Sequence, residues 1–377
     1  MSGLVYLDHN SSAPLDPEVL EAMLPFLRDL HGNAASAHGA GRALAAAVEE
    51  ARAETAALVG AAPDEIVFTS GGTESNNWVL AGAAPEPGGA HVVISAVEHF
   101  SVLEAARRLE RAGAAVTAVP VDGEGRFDPA AVAEAIRPET RLVSLMLAQN
   151  EVGTLQPVAA AAAAARERGV PVHTDAAQAA GKVPVDVAAL GVDFLTVAGH
   201  KLYGPKGIGA LYIRRGARIV PWMLGAPHEK GLRAGTLNVP GIVGLGAAAR
   251  VALRSLPEEG PRLRTLSARL WESLERTVPG VRLNGPALDT PARLPNTVNV
   301  SFPGVRSYDL LARVTGVAVT PGAACHSGDP RPSATLTAMG LPLERALGAV
   351  RFSLGRRTTA AELDQAADLF AGALRGA

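Results

Sequence analysis

Disulfide bonds and strong charge are both absent from this sequence. Only one of its 377 residues, Cys325, is a cysteine, so no disulfide can form within the chain. A lone thiol fits a reducing compartment, and we expect a cytoplasmic protein. Lysine and arginine together number 35 and the acidic residues 37, which leaves a net charge of −2 and no basic run. Nucleic acid and anionic membranes are therefore not expected as partners.

Long apolar stretches are missing as well. The Ala-rich run at 159–165 is too short to cross a bilayer. The first ten residues contain Asp8 and no basic leader, so we expect no signal peptide. Hydrophobic residues still make up 48% of the chain. Its length suits one large domain and a smaller one.

Lysine is scarce, with four lysines beside 31 arginines, a bias that genomic base composition explains. The scarcity narrows the chemistry, because a reaction that needs a lysine amine has four candidates. They are Lys182, Lys201, Lys206 and Lys230. We predict no metal site.

Short apolar runs alternate with helical stretches between about residues 65 and 213. This alternation predicts an α/β domain with a largely parallel sheet that helices cover on both faces. The predicted strands are 65–69, 91–95, 114–119, 141–147, 170–173, 193–198 and 209–213. The predicted helices between them include 101–111, 129–136 and 157–168. In such a sheet, ligands bind at the carboxyl ends of the strands.

The remainder of the chain predicts a smaller α+β domain. A long helix is expected over 239–255, and the proline and charge cluster at 256–261 predicts a boundary after it. Further elements are a helix at 263–278, strands near 296–301 and 317–320, and a closing helix at 359–374. We therefore expect a large domain over residues 14–255 and a small one over 256–377 that includes residues 1–13.

The glycine-rich segment 199–207 follows a predicted strand and contains Lys201. Its glycines let the backbone approach a ligand closely. A lysine at a strand's carboxyl end can form an imine with an aldehyde cofactor once it is partly desolvated and its pKa falls. Taken alone, the segment more often holds a solvated surface lysine.

Two polar residues follow another predicted strand end. Asp175 could pair with a protonated pyridine nitrogen and keep such a ring an electron sink, and Gln178 could bind a ring hydroxyl. An aspartate here is more commonly an N-cap. The segment 69–77 predicts a strand, a glycine turn and a helix start, where free N–H groups and the helix dipole favour a phosphate. The alternative is that this segment is only a glycine turn before a capped helix.

His99 and Cys325 are the remaining candidates. An imidazole after the strand 91–95 can stack on a planar ring and transfer protons, although a partly buried histidine is the commoner case. Cys325 lies in a loop of small residues and prolines beside His326. A thiolate there is a plausible nucleophile, but a free cysteine is usually a small buried hydrophobe.

Taken together and in this order, the five segments resemble the class V aminotransferase group of fold-type I enzymes that use pyridoxal 5′-phosphate (PLP). Within that group they are similar to the NifS/IscS-type cysteine desulfurases and the related selenocysteine lyases. The similarity runs from Tyr6 to Arg356. It implies the fold of a fold-type I PLP-dependent transferase, a homodimer, and conversion of L-cysteine to L-alanine with transfer of sulfur to an acceptor protein or thiol.

The resemblance also implies a role for each site residue. Lys201 would be the Schiff-base lysine and the acid/base, Asp175 would pair with the pyridine nitrogen, and Gln178 would meet the ring hydroxyl. His99 would stack on the ring. The other implied roles are phosphate binding by Gly72, Thr73, His200 and, across a dimer interface, Thr236; carboxylate binding by Asn150 and Arg351; and attack on the substrate sulfur by Cys325 to form a persulfide.

Several departures from the family pattern leave alternatives open. Ala198 stands where these desulfurases usually have a phosphate-binding serine, and both this change and the loop 322–327 resemble the selenocysteine lyases. Segments 8–13 and 226–230 also differ, at the predicted mouth of the site. The alternatives are a selenocysteine lyase, an aminotransferase or other PLP lyase with an incidental cysteine, and a non-catalytic sulfur-carrier scaffold. Retention of four residues argues against the scaffold: Lys201, Asp175, His99 and Arg351.

Overall fold

The structure is a computed structural model that describes residues 4–83, 86, 88–321 and 331–375. Its strands are β1 (Val5–Tyr6), β2 (Ile66–Thr69), β3 (His91–Ser95), β4 (Ala115–Val119), β5 (Thr140–Ser144), β6 (Val172–Asp175), β7 (Phe194–Ala198), β8 (Gly209–Ile213), β9 (Arg282–Asn284), β10 (Thr297–Ser301), β11 (Val317–Ala318), β12 (Thr320–Pro321) and β13 (Ala349–Ser353). Its α-helices are α1 (Pro17–Arg28), α2 (Gly39–Leu58), α3 (Gly72–Ala83), α4 (Phe100–Arg111), α5 (Pro129–Ala135), α6 (Val158–Glu167), α7 (Val187–Leu190), α8 (Val239–Thr277), α9 (Ser307–Arg313), α10 (Ala334–Ala338), α11 (Leu343–Leu347) and α12 (Ala360–Arg375).

Seven strands form the central sheet in the order β2-β8-β7-β6-β5-β3-β4. All pairs are parallel except those of β8, which runs antiparallel to β2 and β7. Six of the seven strands are buried over nearly their whole length, because helices cover both faces and leave separate apolar cores on the two sides. The α/β fold predicted from the alternating pattern is confirmed.

The carboxyl ends of β2, β6 and β7 lie at one edge of this sheet, because these strands point in the same direction. Each is followed at once by a turn that carries polar residues. Gly209, at the start of β8, lets the turn after β2 come close, since a Cβ atom there would lie 2.7 Å from the Cα of Gly71. The fold thus brings distant segments of the sequence to one edge.

A second, smaller sheet has the antiparallel order β12-β13-β10-β9. It packs on α12 and the second half of α8, with Phe302, Phe352 and Phe370 in ring contact at the centre of its core. The N-terminal strand β1 pairs with β11, and Asp8 bridges to Ser353. Residues 5–8 therefore pack with the C-terminal part of the chain.

The predicted helix break at 256–261 is wrong, because α8 runs unbroken for 39 residues. Pro257 and Pro261 lie on its exposed side, where the carbonyl groups they leave without a donor can turn to water. A proline in a helix costs about 3 kcal/mol, and burial of α8 in two apolar cores, one at each end, offsets that cost. The domain division at residue 255 stays a prediction.

One stretch of α8 is apolar enough to cross a membrane by length and composition alone. It has a mean hydropathy of 1.3, but 61% of it is buried inside the protein. Core helices of soluble proteins have this character.

Candidate active site

A cleft of about 570 Å³ opens at the carboxyl edge of the central sheet. Most of the residues singled out in the sequence line it, although they come from segments far apart in the chain. These residues are Gly72, Thr73, His99, Asn150, Asp175, Gln178, His200, Lys201 and Arg351. The fold therefore brings them together, and their individual roles remain predictions.

Lys201 follows β7 in a short 3-10 turn, Gly199–Lys201. Its Nζ donates hydrogen bonds to the main-chain oxygens of Asn10 at 2.7 Å and Ser11 at 2.8 Å. Burial, together with the positive charge of Arg351, lowers the pKa of Lys201 to about 8. A lysine with such a pKa loses its proton readily near neutral pH and can act as a nucleophile.

Asn10 was not singled out in the sequence, yet it lines the cleft beside Lys201 and is 1% exposed. Its main-chain oxygen accepts from both Lys201 Nζ and Gln178 Nε2. Its side-chain oxygen accepts from Lys182 and Asn296. Asn10 thus joins the sheet edge to the small sheet, and the departure at residues 8–13 is the signal in the sequence that points to it.

Lys182 is a second lysine that contacts the site wall. Its Nζ donates to Gln178 Oε1 at 2.5 Å and to Asn10 Oδ1 at 2.9 Å. Burial and the nearby charge of Lys201 hold the pKa of Lys182 well below its usual value. The main-chain oxygen of Asn10, which can only accept, fixes the orientation of the Gln178 amide, and Lys182 bonds to the oxygen of that amide.

Asp175 ends β6 and is 6% exposed. One carboxylate oxygen accepts from the N–H of Ala177 at 2.9 Å, which is the turn-capping contact that its sequence position suggests. The other accepts from Asn76 Nδ2 at 2.7 Å. Asp175 also lines the cleft, so it caps a turn and faces the site at once.

The other end of the cleft is suited to an anion. Gly71, with φ of +147°, leads into α3, whose first N–H groups have no partner within the helix. Lys206 also lines this region. Burial and the charges of neighbouring lysines lower the pKa of His200 to about 4, so His200 is neutral. Ala198 offers only a methyl group here, 3.5 Å from where a Cβ atom on Gly72 would lie.

Arg351 closes the side of the cleft next to the small sheet. Its Nη2 donates to Asp8 at 2.8 Å and to Ser11 Oγ at 2.7 Å, and its Nη1 donates to the main-chain oxygen of Asn150. Its Nε is buried and has no hydrogen-bond partner among the described residues. A guanidinium with an unused donor suits a carboxylate ligand.

Two predicted site residues are not placed in the cleft. Thr236 is exposed and does not line it, and a single chain does not test a contact across a dimer interface. The segment before it is anchored by Glu229, which accepts two hydrogen bonds from Arg52 at 2.8 Å in the interior. Cys325 lies outside the described residues.

No group of three or more His, Cys, Asp or Glu side chains in the described part of the chain could hold a metal ion. The cleft instead combines a lysine of lowered pKa, a buried carboxylate, an anion-binding helix start and a guanidinium. This set can bind an anionic aldehyde at one end and an amino acid at the other.

Comparison with known proteins gives a consistent result. Residues 5–366 match the family model of the class-V aminotransferases. The chain is 44% identical over 369 residues to a cysteine desulfurase IscS of Dictyoglomus turgidum, covering 97% of this chain and 93% of the relative. It is 46% identical over 376 residues to a cysteine desulfurase IscS of Anaeromyxobacter dehalogenans, covering 98% and 92%. A solved NifS-like protein superposes with a TM-score of 0.92 at 36% identity, covering 99% of this chain and all of that one.

Proposed function

This chain belongs to the class-V aminotransferase family, and on that premise we propose that it is a PLP-dependent cysteine desulfurase. It converts L-cysteine to L-alanine and takes the sulfur onto Cys325 as a persulfide. The observation that carries the proposal is the position of Lys201, an amine of lowered pKa at a strand end that shares one cleft with Asp175 and Arg351.

The residues of the cleft fit PLP. Lys201 offers the amine for covalent attachment, and the start of α3 offers free N–H groups for the phosphate. Asn76 and Arg351 both line the cleft. Each has one buried polar atom without a hydrogen-bond partner among the described residues, Oδ1 of Asn76 and Nε of Arg351. Polar groups left in this state are typical of a site that a ligand completes.

PLP, when bound, supplies an electron sink that makes the α-proton and the Cβ–S bond of the substrate labile. Lys201 would hold the cofactor and would move the α-proton. Asp175 would set the charge at the ring nitrogen, and Gln178, whose amide oxygen accepts from Lys182, would bind the ring hydroxyl. Arg351 and Asn150 bind the substrate carboxylate and so fix the α-carbon.

The sulfur transfer needs no outside oxidant. The Cys325 thiolate forms an S–S bond with the substrate sulfur while the Cβ–S bond breaks. The electron pair of that bond stays with the substrate carbon, which takes up a proton to give alanine. The segment that holds Cys325 begins just after Thr320, whose hydroxyl lies 3.1 Å from Arg351 Nη2. Cys325 lies five residues after Thr320 in the sequence.

A homodimer and an acceptor for the sulfur belong to the same proposal. Thr236 is exposed in one chain, as expected of a residue that contacts a partner's phosphate. Earlier in the same region, Val220, Met223 and Leu224 are 47%, 40% and 89% exposed, and a group of open apolar side chains suits a protein interface. We place the reaction in the cytoplasm, with a protein or small thiol as acceptor.

A selenocysteine lyase is the second candidate, and Ala198 favours it. The alanine removes a hydroxyl from the phosphate site, as in those lyases, without changing Lys201, Asp175 or Arg351. Selenolate is the better leaving group, so such an enzyme depends less on the loop thiol.

Product analysis with both amino acids tests the function. With L-cysteine and a thiol reductant, the PLP-loaded protein should release alanine and sulfide in equal amounts. Alanine should form without any keto acid. Amino transfer that requires a keto acid would instead support an aminotransferase, and turnover of selenocysteine alone would support the lyase.

The pH dependence of cofactor attachment should follow Lys201. Because its pKa is lowered to about 8, the rate at which the cofactor-free protein attaches PLP should rise with pH through a midpoint near pH 8 and level off at higher pH. Arg351→Gln removes a nearby positive charge that favours the neutral amine, so the midpoint should move to higher pH. Stopped-flow absorbance measures both, and a midpoint above pH 10 in the unchanged protein would contradict the assignment.

A further inference from the structure

Four polar side chains form a continuous line of hydrogen bonds along one wall of the cleft. Asp175 Oδ2 accepts from Asn76 Nδ2 at 2.7 Å, and the same amide nitrogen donates to Ser101 Oγ at 2.8 Å. Ser101 Oγ in turn lies 2.8 Å from His99 Nδ1. Asp175, Asn76 and Ser101 are at most 7% exposed, so water does not compete for these contacts.

The direction of every bond in this line follows from chemistry. A carboxylate oxygen only accepts and an amide nitrogen only donates, so Asp175 fixes which way the Asn76 amide points. The Ser101 oxygen accepts from Asn76, which leaves its own hydrogen free to donate to His99. The main-chain N–H of Ser101 also donates to His99 Nδ1, at 3.1 Å.

His99 Nδ1 therefore receives two hydrogen bonds and has no room for a hydrogen of its own. The neutral ring must carry its hydrogen on Nε2. A proton added at Nδ1 would face the hydroxyl hydrogen and the main-chain N–H hydrogen of Ser101, which would repel it. Burial also disfavours a second proton on the ring. It outweighs the opposing charge of Asp175 and holds the pKa of His99 below its usual value.

We propose that Ser101 and Asn76 are positioning residues that hold His99 as the Nε2–H tautomer and tie it to the carboxylate of Asp175. His99 then presents a hydrogen-bond donor to the cleft. To act as a base there, it would have to move its hydrogen to Nδ1 and give up both bonds from Ser101. The proposal deepens the desulfurase function and rests on it for the role of His99 beside PLP.

Nitrogen NMR of histidine-labelled, PLP-loaded protein tests the tautomer directly. His99→Gln assigns the His99 signals. The unchanged protein should show His99 protonated on Nε2 at pH 8. Ser101→Ala removes one of the two donors to Nδ1, so the other tautomer should gain population and the midpoint of His99 protonation should rise by about half a pH unit. Ser101→Thr keeps the hydroxyl and should restore both values.

Ser307→Ala is the matched control. Ser307 is a buried serine whose hydroxyl has no partner among the described residues, so its loss should leave the His99 signals unchanged. A spectrum of the unchanged protein with His99 protonated on Nδ1 would overturn the proposal, and so would a Ser101→Ala spectrum identical to it. The measurement needs no turnover, so its failure is distinct from failure of the desulfurase assignment.

Discussion

Lys201→Ala is expected to lower turnover of L-cysteine by about 10⁴-fold or more, because the variant loses both the covalent hold on PLP and the group that moves the α-proton. The helix start at Gly72 and the carboxylate of Asp175 are untouched. PLP should therefore still bind, but reversibly and without the visible absorption band of the attached cofactor. Mass spectrometry after borohydride reduction should find the cofactor on the peptide with Lys201 only in the unchanged protein.

Lys230→Asn is the control for this variant. Lys230 lies outside the cleft, and its amine donates a hydrogen bond to the main-chain oxygen of Asp64. Its φ of +58° is tolerated by asparagine better than by most residues. This variant should keep both the absorption band and the reduced adduct. An adduct on Lys182 or Lys206 in the Lys201→Ala protein would show that another amine can take the role.

Cys325→Ala is expected to lower sulfide and alanine production from L-cysteine by about 10³-fold, because no thiolate remains to take the sulfur. PLP attachment should be unchanged, since the thiol has no part in it. Assays of alanine, together with absorbance of the bound cofactor, separate the two effects. Labelling with radioactive sulfur should mark the unchanged protein and leave the variant unmarked.

The same variant, given L-selenocysteine, is the internal comparison. A selenolate leaves more readily than a thiolate, so alanine release from selenocysteine should fall far less. Equal loss with both substrates would make Cys325 essential for either. Cysteine turnover at the rate of the unchanged protein would remove the persulfide mechanism.

Much of this architecture is predictable from local pattern. The strands His91–Ser95 and Gly209–Ile213 have the predicted bounds, because each is a short apolar run between turn residues. Among the cleft residues, Lys201, Asp175 and His99 were candidates from their positions after predicted strands. The family resemblance added Asn150, His200 and Arg351. The cleft residues come together only because of the order of the strands in the sheet, and no local sequence pattern predicts that order.

Two features could not be predicted from local rules. Two prolines four residues apart normally end a helix, but tertiary burial overrides that preference in α8. Asn10 was hidden for a different reason. Its main-chain oxygen makes the contact with Lys201, so the residue type does not reveal the contact. Only the departure from the family pattern at residues 8–13 points to this segment.

The two oxygens that hold the Lys201 amine have a consequence for the loaded enzyme. A free ammonium has three hydrogens and satisfies Asn10 and Ser11 together. Once the nitrogen is bonded to carbon it keeps at most one, so at least one of these oxygens must find another donor. Residues 10–11 follow β1 and the bridge from Asp8 to Ser353 of the small sheet. The N-terminal segment is thereby placed to respond to whether the enzyme carries its cofactor.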